Sequence, residues 1–474
     1  MNIWEKNITF AAKNVQKSLS LTRINSSSLL KNMDVVIEKL APASFFYYNI
    51  AVVSTTKTGG SVVQKHRVFL YSFGFLFIIF GLITGGLWHP VDLIANLLKI
   101  ITVPDYLLTD YIEIGGLSAA FIKSGILMIT FTWFLHLMKL PTTGLSFASI
   151  LTVGGFALFG KNIFNVWPIL IGVFLYSLYK REPFSRYVYV AYFGTAIAPL
   201  VTQIAFFLPV KGVNEILVSY IVAIAIGFVL PDLAGYFLTT HKGYNLYNVG
   251  FTCGMIGMVA AALLRTYGYE IPTQKVWSIG NNIVLSIFLF FVFALMMYYG
   301  WKMNRKSLSN YSKLMKHSGR LVSDFVIFEG FPITLFNMGL LGFSMTFYVL
   351  ITGSQLNGPT VGGILTVTGF GAFGKHPRNV LPVLFGITIG GLTNKYSLSD
   401  PNNVLAALFG TTLSPIAGEF GPIWGIIAGF LHIAVVNNVG FLHGGLNLYN
   451  NGFAAGLVAM FLIPLIKVIH KKED

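Results

Sequence analysis

The 474-residue chain is 55% apolar and 15% aromatic, and only 10% of it is charged, whereas a soluble domain carries about 25% charged residues. This balance excludes a water-soluble globular protein and predicts an all-α integral membrane protein. The net charge of +15 does not point to nucleic acid, because Lys and Arg lie between apolar segments, as topology signals do, and not along one stripe.

In chain order, residues 1–66 read as a polar, basic, cytoplasmic segment without the pattern of a secretory signal. Its one apolar stretch, 45–53, is too short to span a bilayer. A first membrane repeat is expected over 67–267, with segments at 68–88, 117–138, 144–160, 163–179, 187–209, 216–238 and 246–265. A linker at 268–278, a second repeat at 279–468 and a short cytoplasmic tail at 469–474 follow.

The duplication rests on motifs that return in the same order. LTVGGFALFGK at 151–161 recurs as LTVTGFGAFGK at 365–375, eight identities in eleven. FGT at 193–195 recurs at 409–411, and HKGYNLYNVGFTCG at 241–254 recurs as HGGLNLYNNGFAAG at 443–456, nine identities in fourteen. The offsets are 214, 216 and 202 residues, so small loop insertions or deletions separate the copies.

Loop charge sets the expected orientation. With a cytoplasmic N-terminus, Lys180, Arg181 and Arg186, the six basic residues from Lys302 to Arg320, and Lys467, Lys471 and Lys472 all fall on the cytoplasmic side. The equivalent first-repeat loop, 89–116, holds Asp92, Asp105, Asp110 and Glu113 against Lys99 and reads as an outer loop. Opposite signs on equivalent loops require an odd number of crossings per repeat, hence about 14 transmembrane segments in two inverted-topology repeats of seven. Re-entrant third segments would instead give six crossings each and place 302–320 outside. The expected location is the cytoplasmic membrane, multi-pass, with both termini cytoplasmic.

The third and tenth segments are short, Gly-rich and opened by helix-start residues. Thr143 and Asn357 are N-cap types at equivalent positions, and Pro359 suits a first turn. Broken helices expose backbone N–H groups and a positive dipole end that bind anionic or carbonyl groups, which makes Thr143, Ser146, Thr152, Asn357, Thr360 and Thr366 candidate solute ligands. The glycines alternatively serve close helix packing. Lys161 and Lys375 follow these segments, either as snorkelling residues or as paired gates.

Asn245 and Asn248, and Asn447 and Asn450, place two amides on one helix face, suited to a neutral polar solute or to capping broken helices. His241 and His443 stand alone beside them, without a second ligand at zinc spacing. Asp232 and Glu419 each occur in one copy only, with Ala434 and Gln203 opposite, the asymmetry expected of a proton- or sodium-coupling residue. No P-loop, G-x-S-x-G or H-E-x-x-H occurs, so no catalytic residue, cofactor or metal is expected. Cys253 is the only cysteine, which leaves no disulfide framework.

With these repeats, the chain resembles a bacterial family of duplicated multi-pass membrane proteins of unknown function, over both halves. In architecture it is similar to the seven-plus-seven inverted-repeat transporters of nucleobases and inorganic anions, whose short third and tenth segments face one another across the substrate. A fainter likeness to urea transporters lies in LYNNGFAAGL at 448–457 and LFNMG at 335–339, without that family's proline-containing selectivity motif. The family resemblance carries no substrate with it; the inverted repeats with short Gly-rich third segments lead to the expectation of a secondary transporter for a small polar or anionic solute bound between the repeats. A passive channel for a neutral solute such as urea, and a non-transporting scaffold or lipid-handling protein, are the alternatives. The expected partners are the lipid bilayer, the solute and a proton or sodium ion, with homo-oligomerisation left open.

Overall fold

The computed structural model describes residues 60–207, 214–272 and 274–470, with side chains from His66 onward. The expected N-terminal segment, except its last residues, and the tail from 471 lie outside the described residues. The first half contains α1 (Gly60–Gly81), α2 (Pro90–Thr102), α3 (Tyr111–Leu137), α4 (Gly144–Phe156), α5 (Trp167–Tyr179), α6 (Val188–Gly194), α7 (Ala198–Phe207), α8 (Glu215–His241) and α9 (Asn248–Thr266). The second contains α10 (Asn282–Met303), α11 (Phe331–Ile351), α12 (Gly358–Phe370), α13 (Pro377–Thr393), α14 (Pro401–Gly410), α15 (Ser414–Phe420), α16 (Pro422–Val439) and α17 (Asn450–His470). Single turns at Tyr311–Leu314 and Phe325–Phe328 precede α11. Among the described residues nine helices are long and apolar enough to cross a membrane, and the protein is a multi-pass membrane protein on that ground.

Two features differ from the sequence expectation. Residues 90–102, expected within an outer loop, form the amphipathic α2, which leaves Val91, Ile94 and Leu98 exposed in the manner of an interfacial helix. Asp105 and Asp110, counted there as surface charges, are fully buried; of that loop's acids, only Asp92 and Glu113 are exposed. Their burial removes them from the charge comparison and gives them a structural task.

The two halves interlock through α4 and α12, the equivalent short helices, which run antiparallel. Gly144, at the start of α4, abuts the carbonyl of Ala372 beyond the end of α12, and a Cβ on Gly358, at the start of α12, would lie 2.6 Å from the carbonyl of Leu158 beyond α4. A Cβ on Gly155 would lie 2.7 Å from the carbonyl of Gly362, and one on Gly362 would lie 2.8 Å from that of Gly155. Such an approach requires glycine. Gly362→Val is therefore expected to overpack this crossing and cost about 3 kcal/mol or more, read as loss of a monodisperse peak in detergent chromatography.

Each short helix is capped from the other half. Asp324 Oδ1 accepts from the N–H of Gly144 at 2.9 Å and Oδ2 from that of Leu145 at 3.2 Å. Reciprocally, Asp110 Oδ1 accepts from Gly358 N–H at 3.2 Å, while its Oδ2 accepts from Ser278 N–H at 3.0 Å and Ser278 Oγ at 2.7 Å. Asp110 also caps α3, and Asp324 the single turn at Phe325–Phe328. Local caps complete the ends: Ser146 Oγ accepts from Thr143 N–H at 3.2 Å, and Asn357 and Thr360 form a reciprocal capping box at 3.2 and 2.8 Å.

Past each short helix the chain makes a turn, in which Phe159 bridges Asp110 as Phe373 bridges Asp324. A two-residue parallel pairing of Leu108–Thr109 with Lys275–Val276 ties the start of α3 to the linker between the halves.

Candidate functional site

The same reciprocity continues into the centre of the molecule. Lys161 Nζ, just past α4, donates to Tyr449 Oη of the second half at 2.7 Å, and Lys375 Nζ, just past α12, donates to Tyr247 Oη of the first half at 2.7 Å. Lys375 also reaches Thr411 Oγ1 at 2.8 Å. Both ammonium groups lie near aromatic rings, Lys161 4.7 Å from that of Tyr449 and Lys375 4.6 Å from that of Tyr247. Both lysines are 0% exposed, so neither snorkels.

The two tyrosines line a small cavity of about 20 Å3, whose walls are built of equivalent residues from both halves. Thr152 pairs with Thr366, Phe156 with Phe370, Phe193 with Phe409 and Tyr247 with Tyr449. The aromatic walls come from the short helices and from the two FGT breaks, where one turn of tighter helix separates α6 from α7 and α14 from α15. Thr366 returns its hydroxyl to the carbonyl of Gly362 at 2.7 Å, whereas the buried Thr152 hydroxyl has no hydrogen-bond partner.

Among the described residues the buried ammonium and carboxylate side chains are Lys123, Lys161, Lys375, Asp105, Asp110 and Asp324. Among the described residues no carboxylate lies within ion-pair range of Lys161 or Lys375. An ammonium taken from water without an anionic partner is costly, and the partners of both lysines here are neutral oxygens. Each lysine donates to a tyrosine oxygen, which leaves the phenol proton available as a polarised donor. The phenylalanine walls lower the local dielectric and strengthen both effects.

The other residues singled out from the sequence have different placements. Thr143, Ser146, Asn357 and Thr360 stand at the helix starts, where the N–H groups expected to await a solute are bonded to Asp324, Asp110 and their own caps; Ser146 Oγ also meets Tyr189 Oη at 2.7 Å. Asn245 donates to the carbonyl of Gly452 at 2.9 Å and Asn447 to that of Gly250 at 3.3 Å, so these amides clasp α17 and α9. Asn248 Oδ1 meets His241 Nε2 and Asn450 Oδ1 meets His443 Nε2, both at 2.9 Å. Of the four asparagines, Asn248 alone lines the cavity.

Neither acid singled out for coupling touches the cavity. Asp232 accepts from Tyr176 Oη at 2.5 Å and lies 3.5 Å from Lys180, with its side chain 66% exposed. Glu419 accepts from Tyr244 Oη and lies 3.5 Å from Arg320.

Sequence reasoning missed the roles of five residues. Asp110 and Asp324 stand at the same 214-residue offset as the first motif, a recurring acid that alignment of the copies could have exposed. Tyr247 and Tyr449 sit inside the recurring His–Asn motif but were passed over for their amides. Lys123, buried within α3, lay unremarked in an apolar run. Among the described residues no three His, Cys, Asp or Glu side chains gather at metal-binding separation.

No curated protein and no solved structure matches the chain. A family model described as "Protein of unknown function (DUF1576)" matches residues 89–266 and 303–468, the two halves that meet at this centre and well over half the chain, and the protein belongs to that family.

Proposed function

We propose that the protein is a secondary transporter that binds a small anion in the cavity between its two halves. The observation that carries this reading is the pair of fully buried lysines, one from each half, with no carboxylate among the described residues in ion-pair range and each bonded to a cavity-lining tyrosine. The Tyr247 and Tyr449 hydroxyls donate to the anion, the unpartnered Thr152 hydroxyl adds a third donor, and the lysines set the potential from behind. This moves the solute away from the helix starts, which carry their own carboxylates, to the central cavity.

The antiparallel run of α4 against its equivalent α12 supports two inverted repeats, because the pseudo-two-fold axis relating them lies across both helices. With the short helices counted as crossings, the elements accommodate about 14 segments. In that arrangement one constellation is presented to either side as the halves move. A neutral-solute channel has less support, since the Asn245 and Asn447 amides are committed to backbone carbonyls.

The binding test is a thermal-shift screen of the purified full chain against chloride, nitrate, sulfate and acetate, with urea and uracil as neutral contrasts. Saturable stabilisation by an anion and none by urea is expected; the reverse sinks the reading. Tyr449→Phe and Tyr247→Phe each remove one charge-assisted donor and are expected to weaken that anion about 10-fold. The orientation is tested by thiol labelling in a Cys253→Ala background. Lys99→Cys is expected to react from outside only and Lys306→Cys from the cytoplasm only, and labelling from the same side would refute inversion.

A further inference from the structure

The two halves are not equivalent around their lysines: the first buries Asp105, Tyr111 and Lys123 where the second has Gly319, Phe325 and Asn337. Lys123 Nζ donates to the main-chain carbonyl of Lys161 at 3.0 Å and lies 3.4 Å from the centroid of the Tyr111 ring. On the far side of that ring, Tyr111 Oη donates to Asp105 Oδ1 at 2.6 Å. Asp105 Oδ2 accepts from Asn165 Nδ2 at 2.9 Å and Thr202 Oγ1 at 3.0 Å, and Asn162 Nδ2 donates to Tyr111 Oη at 3.2 Å. A continuous run of contacts therefore joins a buried carboxyl to the backbone of the residue that carries the first cavity ammonium.

At the 214-residue offset the second half has Asn337 for Lys123 and Phe325 for Tyr111. Asn337 does the same backbone work, donating to the carbonyl of Lys375 at 2.8 Å. Asn379, the equivalent of Asn165, donates at 3.3 Å to the carbonyl of Ser318, where the first half has a carboxylate. The scaffold is thus satisfied without charge in one half. Holding a carboxyl and an ammonium in the other is costly burial that structure alone does not require.

We infer that Asp105, Tyr111 and Lys123 form a single proton-binding site that couples proton uptake to anion binding at Lys161. This rests on the anion reading of the cavity. When Asp105 takes a proton from water, the charge of the cluster rises by one unit. The added charge stands behind Lys161 and favours the anion, and by reciprocity the anion favours the proton. Anion and proton therefore move together.

The ionisable groups facing Asp105 are Tyr106 from its own segment and Tyr111 and Lys123 from α3; α7 offers only Thr202 and Gln203, and the segment after α4 only asparagines. Burial pushes the Asp105 carboxyl up to about 7, against the opposing hydrogen bond from Tyr111 and the charge of Lys123.

The test uses the purified full chain and the same four anions, none of which titrates between about pH 6 and pH 8. Affinity for the bound anion is expected to tighten about 10-fold from pH 8 to pH 6 in the unaltered protein and to be flat in Asp105→Asn. The unaltered protein in weak buffer is also expected to take up a proton as the anion binds near neutral pH, which requires no variant to fold. An anion that binds without proton uptake, or a slope that survives in Asp105→Asn and vanishes in Asp232→Asn or Glu419→Gln, overturns the coupling and leaves the anion site standing. If none of the four anions binds, the anion reading itself fails, and the coupling falls with it.

Discussion

A protein carrying both Lys161→Met and Lys375→Met is expected to keep its fold and lose anion binding by at least about 100-fold. Methionine preserves most of the volume of each side chain while removing a buried charge, and exchange of buried charge for apolar volume is often neutral or stabilising. The melting temperature without anion should therefore hold steady or rise. Removing either ammonium costs the anion the electrostatic attraction of a charge behind its tyrosine donor in a low-dielectric site, about 2–5 kcal/mol. The single variants should differ in stability: Lys375 leaves two oxygens, Tyr247 and Thr411, without their donor, and Lys161 leaves only Tyr449. Thermal shift with and without the binding anion reads both effects in one experiment. A double variant that binds the anion as before would show that the lysines serve packing alone.

The largest loss of stability is expected from Asp110→Ala combined with Asp324→Ala. Asp324 satisfies the N–H groups of Gly144, Leu145 and Ile327, and Asp110 those of Ile112, Ser278 and Gly358. Each orphaned buried N–H costs about 1–3 kcal/mol. Loss of the carboxylate from the N-terminus of a short helix forfeits roughly 1 kcal/mol more. One substitution should thus approach the whole stability of a marginal protein, and two should abolish the folded state. Asp324→Asn retains an acceptor and should recover part of the loss. Millimolar formate, a small carboxylate, should raise the thermal stability of Asp324→Ala by more than it raises that of the unaltered protein. Equal stability of the alanine variants would deny the cross-half caps their role.

The duplication and the two short helices were legible in the sequence because apolar runs, N-cap residues and recurring strings are local signals. Thr143 and Asn357 could be placed at helix starts for that reason. What occupies those starts was not legible, because the capping carboxylates arrive from the other half, about 180 and 250 residues away along the chain. Asp105 and Asp110 read as surface acids because nothing near them in sequence marks them as buried. Lys161 and Lys375 were found through their recurrence, but their tyrosine partners come from the opposite copies, a pairing set only by assembly of the halves. Asp232 and Glu419 stood out as acids without counterparts; Lys123 and Tyr111 share that asymmetry and escaped notice because a lysine and a tyrosine blend into an apolar α3.

The central claim is that the lysine-flanked cavity carries a small anion across the bilayer, and the most direct measurement is uptake into proteoliposomes. Vesicles holding the unaltered chain are loaded with the anion that stabilises the purified protein, and exchange against the labelled anion outside is followed over time. Saturable exchange that disappears when Lys161 and Lys375 are both methionine is the predicted result. Exchange that never saturates, or that proceeds equally well in the doubly substituted protein, would contradict it.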